Sequence, residues 1–320
     1  MSINQVAFVA STLPFSQLVK CHELLGITQV VCASGALHNS FVKGFKNIGL
    51  SIDVQSISGN RLSRNLQLLG YLLKTKKAVI FHECCWPDLD LLIIFFRVKT
   101  IYLPNVTLAS RKKVLVRDIP LKQRVFATLT SRWFDFYETK DDGGEAYYSS
   151  ALKQRYRKIH ILPSNSTLEM FGDTKRKEKE VQKLRVLMLS GTDVVPNNVL
   201  KELYGQITFR LLSLGIEVHI KDHPNPRARL DWKLDGAQLV DSDLPLESMN
   251  LSDYSAYISV ASTGLAACAE NGKIISVIRL LPKEFNEQLQ KRISHLSAIN
   301  VKPLLPLSVD ELVNQVTMGR

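Results

Sequence analysis

The segment IEVHIKDHPNPR, residues 216–227, combines a strand pattern with a stiff, basic loop. Apolar and polar residues alternate up to Lys221, which predicts a half-buried strand. Pro224 restricts His223 to an extended conformation and ends the strand there. Lys221, His223 and Arg227 would then leave the carboxyl end of the strand as a cationic cluster. Ligands bind at that end in open α/β sheets, so we expect a phosphate-binding loop. An ordinary surface turn with a solvated histidine is the alternative.

A second candidate is the tripeptide Ser262-Thr263-Gly264, which follows a predicted strand and opens a helix of small residues. Hydroxyl groups and the N–H groups of a helix start together form an anion site. Simple N-capping by Ser262 or Thr263 requires no ligand and is the alternative. Taken alone, the tripeptide fits capping better, but the two hydroxyls can serve both purposes.

The third candidate is Asp141-Asp142-Gly143-Gly144. The glycines allow the backbone to approach a ligand closely. Adjacent side chains on an extended loop point to opposite sides, so one carboxylate can act as a general base while the other orders the loop. We favour Asp142 as the base, because it directly precedes the glycines. A solvated turn is the alternative, since Asp-Gly is a common turn dipeptide.

The elements that would position these residues alternate between strand and helix patterns, which predicts an α/β fold with parallel sheets. The predicted strands are 6–10, 29–32, 52–57, 78–81, 100–103 and 135–138, then 185–189, 216–221, 237–240, 254–260 and 273–279. The predicted helices are 15–25, 37–48, 61–73, 89–97, 121–134 and 145–156, then 197–214, 246–251, 265–271, 282–296 and 309–316. The polar segment between the two halves predicts a domain linker. We therefore expect two Rossmann-like domains facing a central cleft, 1–165 and 185–320, joined by a linker at 166–184.

Composition restricts the partners and the compartment. The chain is 45% hydrophobic with a formal net charge of +11, which favours an acidic partner such as a phosphorylated substrate, an anionic lipid or a nucleic acid. Five scattered cysteines without zinc spacing indicate reduced thiols in the cytosol. No signal peptide or membrane-spanning run is predicted. The basic stretch 110–124 predicts either a solvated surface or a patch for anionic phospholipids on the inner face of the cytoplasmic membrane.

The order of the three motifs resembles that of the bacterial sialyltransferases with the two-Rossmann, GT-B type fold. These are the lipooligosaccharide sialyltransferases of glycosyltransferase family 52, the polysialyltransferases and the marine multifunctional enzymes. Their motifs are acidic-acidic-Gly, His-Pro and Ser-Ser/Thr, matched here by Asp141-Asp142-Gly143, His223-Pro224 and Ser262-Thr263. Leu244-Pro245-Leu246-Glu247 resembles a proline-glutamate element of the lipooligosaccharide group, in which the glutamate approaches the nucleotide. One departure is Gly144, which stands where some relatives have serine.

The resemblance implies an inverting glycosyltransferase that moves sialic acid from CMP-sialic acid to lipooligosaccharide, O-antigen or capsule glycan. The implied catalytic residues are Asp142, Asp141 and His223. The implied nucleotide contacts are Lys221, Pro224, Arg227, Glu247, Ser262, Thr263 and Gly264. The CMP phosphate leaves as an anion that protein cations and N–H groups can stabilise, so no metal or cofactor is expected. Asp88-Leu89-Asp90 has the D-x-D spacing of metal-dependent transferases, but it follows Pro87 and fits the start of a helix better.

Other functions stay open from the sequence. A second cytidine-nucleotide transferase, with CMP-Kdo or a CDP-polyol as donor, would show similar motifs. A nucleic-acid-binding protein would explain the charge, but the basic residues are dispersed and no basic-aromatic recognition motif is present. An inactive nucleotide-binding subunit fits less well, because the acid pair and the His-Pro loop are intact. The oligomeric state, the linkage and the acceptor do not follow from the residues.

Overall fold

The computed structural model describes residues 5–11, 15–81, 86–103, 121–130, 133–139, 158–162, 184–190, 194–223, 229, 233–262, 264–269, 271–285, 289–290, 293 and 301–318. The chain divides into two compact units, Met1–Lys175 and Arg176–Arg320. The point of division falls within the range 166–184 predicted as a linker. The roles assigned to the two domains stay predictions.

Strands and helices alternate along the described part of the first unit. The strands are β1 (Gln5–Val9), β2 (Ile27–Cys32), β3 (Asp53–Ser56), β4 (Lys77–Ile80), β5 (Thr100–Tyr102), β6 (Phe134–Thr139) and β7 (Lys158–Leu162). The helices are α1 (Phe15–Leu25), α2 (Gly35–Asn47), α3 (Arg61–Lys74), α4 (Pro87–Phe96) and α5 (Leu121–Thr130). Gly26 and Gly49 follow α1 and α2 with positive φ angles of 60° and 73°, a conformation that favours glycine after a helix.

The sheet of the first unit is parallel throughout, with strand order β3-β2-β1-β4-β5-β6-β7. Buried aromatic residues of α1 and α2, including Phe15 and Phe45 with stacked rings 5.2 Å apart, cover one face. Leu68, Ile93 and Phe126 from α3, α4 and α5 cover the other face. A sheet with helices on both faces requires strands that are apolar on both sides, and the continuous apolar runs of the sequence supply them.

The second unit repeats this plan on a smaller scale. Its strands are β8 (Arg185–Leu189), β9 (Glu217–Lys221), β10 (Gln238–Val240), β11 (Ala256–Ser259) and β12 (Lys273–Ser276). Its helices are α6 (Asn197–Ser213), α7 (Leu265–Cys268) and α8 (Val309–Thr317), with 3₁₀ turns at Leu246–Ser248, Leu251–Asp253, Ile278–Leu280 and Lys283–Phe285. The parallel strand order is β10-β9-β8-β11-β12, so β8 lies at the centre and the strand order reverses beside it. The prediction of an α/β fold with two Rossmann-like, parallel-sheet domains is confirmed.

Several predicted boundaries in the first unit are wrong. The helix predicted at 121–134 ends at Thr130, and Phe134 begins β6 as a buried strand residue. β7 has no counterpart among the predicted strands, although it pairs with β6 over five residue pairs. The helix predicted at 145–156 lies outside the described residues.

In the second unit, the strand predicted at 273–279 ends at Ser276, whose hydroxyl donates to the Val260 carbonyl. The next residues form a 3₁₀ turn, so their apolar side chains are buried without being in a strand. The brief helix predicted at 246–251 is a pair of 3₁₀ turns, and the helix predicted at 265–271 has only four residues. The helix predicted at 282–296 begins with a 3₁₀ turn.

Candidate functional site

The carboxyl ends of three neighbouring strands bring the predicted second-domain residues into one region. β8 pairs with β9 on one side and with β11 on the other. Lys221 ends β9, Ser190 follows β8 and Ser262 follows β11 by three residues. Because the three strands are parallel, their following loops all leave the same edge of the sheet. This edge adjoins the point where the strand order reverses, which is the usual ligand position in this type of fold.

Lys221 is buried, with only 4% of its surface exposed. Its ammonium group donates to the carbonyl oxygens of Asp222 at 3.0 Å and Ser242 at 2.9 Å. Burial lowers the pKa of the Lys221 ammonium to about 8, although the charges of Asp241 and Asp222 act in the opposite direction. The lysine is therefore still mostly protonated at neutral pH. Among the described residues, these two carbonyls accept two of its three N–H donors.

Two neighbouring side chains, those of Asp222 and Arg229, hold the backbone of the loop that carries His223. The carboxylate of Asp222 accepts from the backbone N–H of His223 at 2.8 Å and from the hydroxyl of Ser190. The guanidinium of Arg229 donates to the His223 carbonyl at 3.1 Å and also pairs with Asp243. The His223 side chain is exposed on a segment that is fixed on both sides. A fixed backbone reduces the entropy lost when a side chain engages a ligand.

The sequence predicts a cationic cluster at the end of β9, but the described residues there carry both positive and negative charges. Arg229 forms an ion pair with Asp243, and the charge of Lys221 is partly offset by Asp241 and Asp222. The alternating strand pattern predicts Lys221 correctly at the strand end. It does not predict that the loop from β10 covers the ammonium group, because that contact joins residues 21 positions apart.

The turn that carries Glu247 packs directly against Gly264. A β-carbon at Gly264 would lie 2.9 Å from the Leu246 side chain and 3.4 Å from Leu189 at the end of β8. The Glu247 residue is exposed to solvent. Desolvation nevertheless raises the pKa of its carboxyl above the ordinary value, and the charge of Lys221 acts in the opposite direction. The proline-glutamate turn, Gly264 and the end of β8 thus converge.

Ser262 acts as a local cap. Its hydroxyl accepts from the backbone N–H of Gly264 at 3.1 Å, and its carbonyl accepts from Leu265 at 3.2 Å. This is the capping arrangement weighed against an anion site in the sequence. The helix that follows has four residues, so its dipole adds little to anion binding. A contact between Ser262 and a phosphate stays a prediction.

Five of the predicted site residues lie outside the described residues: Asp141, Asp142, Pro224, Arg227 and Thr263. The basic stretch at 110–124 also lies mostly outside them. Asp88 and Asp90 are described in the first turn of α4, where Asp88 pairs with Arg61 and Asp90 is buried. No group of three or more His, Cys, Asp or Glu side chains within the described ranges is arranged to hold a metal ion.

Sequence reasoning assigned no role to Ser190, Asp222 or Arg229. Ser190 is 6% exposed, and its hydroxyl links the end of β8 to the His223 loop through Asp222. The sequence contained a signal for Ser190 and Asp222, because each directly follows a predicted strand. Their contact could be inferred only once β8 and β9 were known to be neighbours.

The comparisons with known proteins show likeness at the level of structure. No protein-family model and no curated protein matches the sequence. The UDP-GlcNAc 2-epimerase of Methanocaldococcus jannaschii matches 100% of this chain and 94% of its own, with a TM-score of 0.54 and 11% identity. The S. aureus protein MnaA, solved with UDP, matches 98% of this chain and 95% of its own, with a TM-score of 0.53 and 13% identity. The likeness is one of fold.

A third structure is the glycosyltransferase SnogD from Streptomyces nogalater, which matches 100% of this chain and 91% of its own, with a TM-score of 0.48 and 12% identity. At such identities the likeness carries no activity to this chain. In the part of the chain that the structure describes, no helix is both long and apolar enough to cross a membrane.

Proposed function

We propose that this protein is a nucleotide-sugar glycosyltransferase that moves sialic acid from CMP-sialic acid to a bacterial surface glycan. The observation that carries the proposal is the convergence at the carboxyl edge of the second sheet. Lys221 and His223, the turn of Glu247, and Ser262 with Gly264 come from separate loops yet adjoin the central strand β8. These are the segments that the sialyltransferase resemblance assigns to the nucleotide.

In the proposed reaction, the acceptor hydroxyl gives its proton to Asp142. Its oxygen then forms a bond to the anomeric carbon of sialic acid. The bond from that carbon to the phosphate oxygen breaks, and CMP leaves with the electron pair. Lys221 and His223 are placed at the sheet edge where they could stabilise the negative charge on the departing phosphate. Asp141 orders the loop of the base. Pro224, Arg227 and Thr263 complete the nucleotide contacts, and no metal takes part.

Peripheral contact with an anionic membrane through residues 110–124 belongs to the same proposal, because surface glycans are built on lipid carriers or lipid anchors. A related donor, such as CMP-Kdo or a CDP-polyol, would use the same cytidine contacts. The UDP-GlcNAc 2-epimerases share only the fold with this chain, and binding of a uridine nucleotide would contradict the proposed donor.

A thermal-shift panel with CMP, CDP, UDP, GDP and single-stranded DNA tests the nucleotide class. A ligand that binds only the native state stabilises it by about 2.7 kcal/mol at a concentration 100 times its Kd. We expect CMP to raise the melting temperature by several degrees, and UDP and GDP to have little effect. Stabilisation by UDP alone would favour a uridine-nucleotide enzyme, and stabilisation by DNA alone would overturn the proposal.

Two lysine variants make the panel specific to the site. Lys221→Met should diminish the shift caused by CMP, because it removes the buried cation at the sheet edge. Lys201→Met alters an exposed lysine on α6 and should leave the shift unchanged. Transfer of sialic acid from CMP-sialic acid to a short soluble acceptor, followed by release of CMP, then tests the reaction itself.

A further inference from the structure

Three helices of the first unit form a single layer. Leu68 of α3, Ile93 of α4 and Phe126 of α5 are buried in the same core cluster against one face of the sheet. The ion pair between Arg61 and Asp88 also joins the first turns of α3 and α4, with 2.7 Å between nitrogen and oxygen. The outer surfaces of the three helices therefore face the same side of the unit. We call this surface the α3–α5 face.

The α3–α5 face exposes far more apolar surface than a solvated helix layer requires. Leu73 is 71% exposed and Phe95 is 80% exposed. The exposed large apolar residues of the three helices are Leu62, Leu66, Leu73, Leu91, Phe95, Phe96, Leu121, Val125 and Leu129. On α1 and α2, which cover the opposite side of the sheet, the described set is Leu24 and Val42. A concentration of this kind marks an interaction surface.

Charge distinguishes between the partners that could cover this face. Lys74, Lys76, Arg97 and Lys99 are all exposed at or just beyond the last turns of α3 and α4. The sequences of α3, α4 and α5 contain only two carboxylates, Asp88 and Asp90, one ion-paired and one buried. A second copy of the chain would bring this basic surface against itself in a two-fold dimer. A bilayer with anionic headgroups offers the opposite charge together with an apolar interior.

The basic and aromatic residues also share one end of the layer. Helices that connect parallel strands run antiparallel to them, so the last turns of α3 and α4 lie at the amino edge of the sheet. Lys77 and Thr100 begin the strands that follow these helices. Leu73, Phe95 and Phe96 thus lie beside the lysines, at the edge opposite to the carboxyl ends of the strands.

We propose that the α3–α5 face docks on the surface of an anionic lipid bilayer. Leu73, Phe95 and Phe96 enter the interfacial region, while Lys74, Lys76 and Lys99 bind headgroup phosphates. Apolar burial and attraction to anionic lipid together hold interfacial proteins in this way. Docking at the amino edge leaves the carboxyl edge of the sheet uncovered. The residues that the proposal assigns to the bilayer, Leu73, Phe95 and Phe96 with Lys74, Lys76 and Lys99, lie outside the basic stretch at 110–124. The proposal is also independent of the proposed reaction.

Co-sedimentation with vesicles tests this surface. Wild-type protein should bind vesicles of phosphatidylcholine with about 30% phosphatidylglycerol and should bind pure phosphatidylcholine much less. Each lysine near an anionic surface contributes roughly fivefold to the partition constant, so Lys74→Gln/Lys76→Gln/Lys99→Gln should weaken binding roughly 100-fold. Leu73→Gln/Phe95→Gln should also weaken it, and the remaining binding should decrease further in high salt.

The matched control is Phe209→Gln/Leu214→Gln, which changes two exposed apolar residues of the second unit and should leave binding unchanged. Melting temperatures near that of wild type establish that each variant is folded. Residues 110–124 are the same in every variant, so their contribution cancels.

Wild-type binding that both the lysine and the apolar variants retain would overturn the proposal, as would equal binding to neutral and anionic vesicles. Absence of vesicle binding, with a dimer in sedimentation velocity that Leu73→Gln/Phe95→Gln dissociates, would assign the face to a second copy instead. Transfer to a soluble acceptor should be unaffected, which separates this test from that of the reaction.

Discussion

At the scale of single residues, Lys221 connects the fold to the proposed chemistry. A lysine is rarely buried unless its ammonium group is paired. Here the two backbone carbonyls and the nearby carboxylates of Asp222 and Asp241 compensate for the lost hydration, and the pKa is still lowered to about 8. Such a lysine carries its charge at neutral pH but holds it weakly. An anionic phosphate beside it would favour the protonated form.

The lowered pKa of Lys221 makes stability depend on pH in one window. Below pH 8 the lysine is protonated in both the native and the unfolded state. Between pH 8 and about 10.5 the native state releases the proton and the unfolded state keeps it, so this group makes stability rise with pH. We expect the free energy of unfolding of wild type minus that of Lys221→Met to increase across this window. Urea denaturation at a series of pH values measures it. Tyrosines such as Tyr204 are present in both proteins, so their contributions cancel in this difference. If the free energy of unfolding of the two proteins changed in parallel with pH, the lowered pKa of Lys221 would be contradicted.

His223 is the exposed side chain on the loop that Asp222 and Arg229 hold. His223→Ala should reduce turnover by roughly 10²–10³-fold, the usual loss when one group that stabilises the transition state is removed. The initial rate of CMP release in the transfer assay measures this. His38→Ala, on α2 of the first unit, is the matched control. Turnover within twofold of wild type would remove His223 from the mechanism.

The acid pair tests the base. Asp142→Asn keeps the shape of the side chain but removes the base, so transfer should decrease by ~10²–10⁴-fold while CMP binding is retained. Asp141→Asn should have a smaller effect, through the order of the loop. Transfer rates and CMP titrations on both variants measure these effects. A reversed result would exchange the two roles, and full transfer activity in both variants would refute the general base.

At the scale of elements, the sequence predicts strands better than the connections between them. The runs that form β1, β2, β4 and β8 are apolar, short and bounded by polar or glycine residues, so their pattern suffices. Residues 277–281 are apolar apart from Arg279, but Ile278–Leu280 form a 3₁₀ turn just after Ser276, whose buried hydroxyl donates to a backbone carbonyl. That hydroxyl bonds to Val260, 16 residues away. An interaction over such a distance leaves no local pattern.

The candidate site shows the same limit. The positions of Lys221, His223 and Gly264 at strand ends follow from local pattern and spacing. The burial of Lys221 under the loop from β10 and the packing of Gly264 against Leu246 do not, because each joins segments that only the strand order brings together. The sequence alone could thus predict which residues lie at the strand ends, but not the contacts that surround them.

Glycines in the two units provide a test of local conformation. A methyl group at Gly70, inside α3, would meet no heavy atom within 4 Å. Gly70→Ala should therefore stabilise the protein by about 0.5–1 kcal/mol, because alanine restricts the unfolded chain. At Gly272 the added carbon would lie 2.9 Å from the backbone oxygen of Ser255 and 3.0 Å from the Tyr257 ring. Gly272→Ala should destabilise by about 1–3 kcal/mol.

Thermal and urea unfolding of both glycine variants measure the effect. Gly205→Ala, inside α6, is the control in the second unit, because the nearest atom would be 4.0 Å away. It should behave like Gly70→Ala. A loss of stability at Gly70 would show that α3 differs from its described geometry.

At the scale of the whole molecule, each unit has its own sheet and its own core. The residues that converge at a carboxyl edge all belong to the second unit, whereas the α3–α5 face belongs to the first. Nucleotide and membrane would accordingly act on different units.

Hydrogen–deuterium exchange with and without CMP tests this separation. Ligand binding reduces local opening, so amides that the nucleotide stabilises should exchange more slowly. We expect added protection in peptides that cover 216–223, 244–249 and 259–265, and little change in β1 to β7. GDP at the same concentration is the control nucleotide and should give no protection. Protection confined to the first unit would reverse the assignment of the nucleotide to 185–320. CMP should protect 216–223 in wild type and in Lys201→Met but not in Lys221→Met. This result would place the phosphate beside the buried lysine.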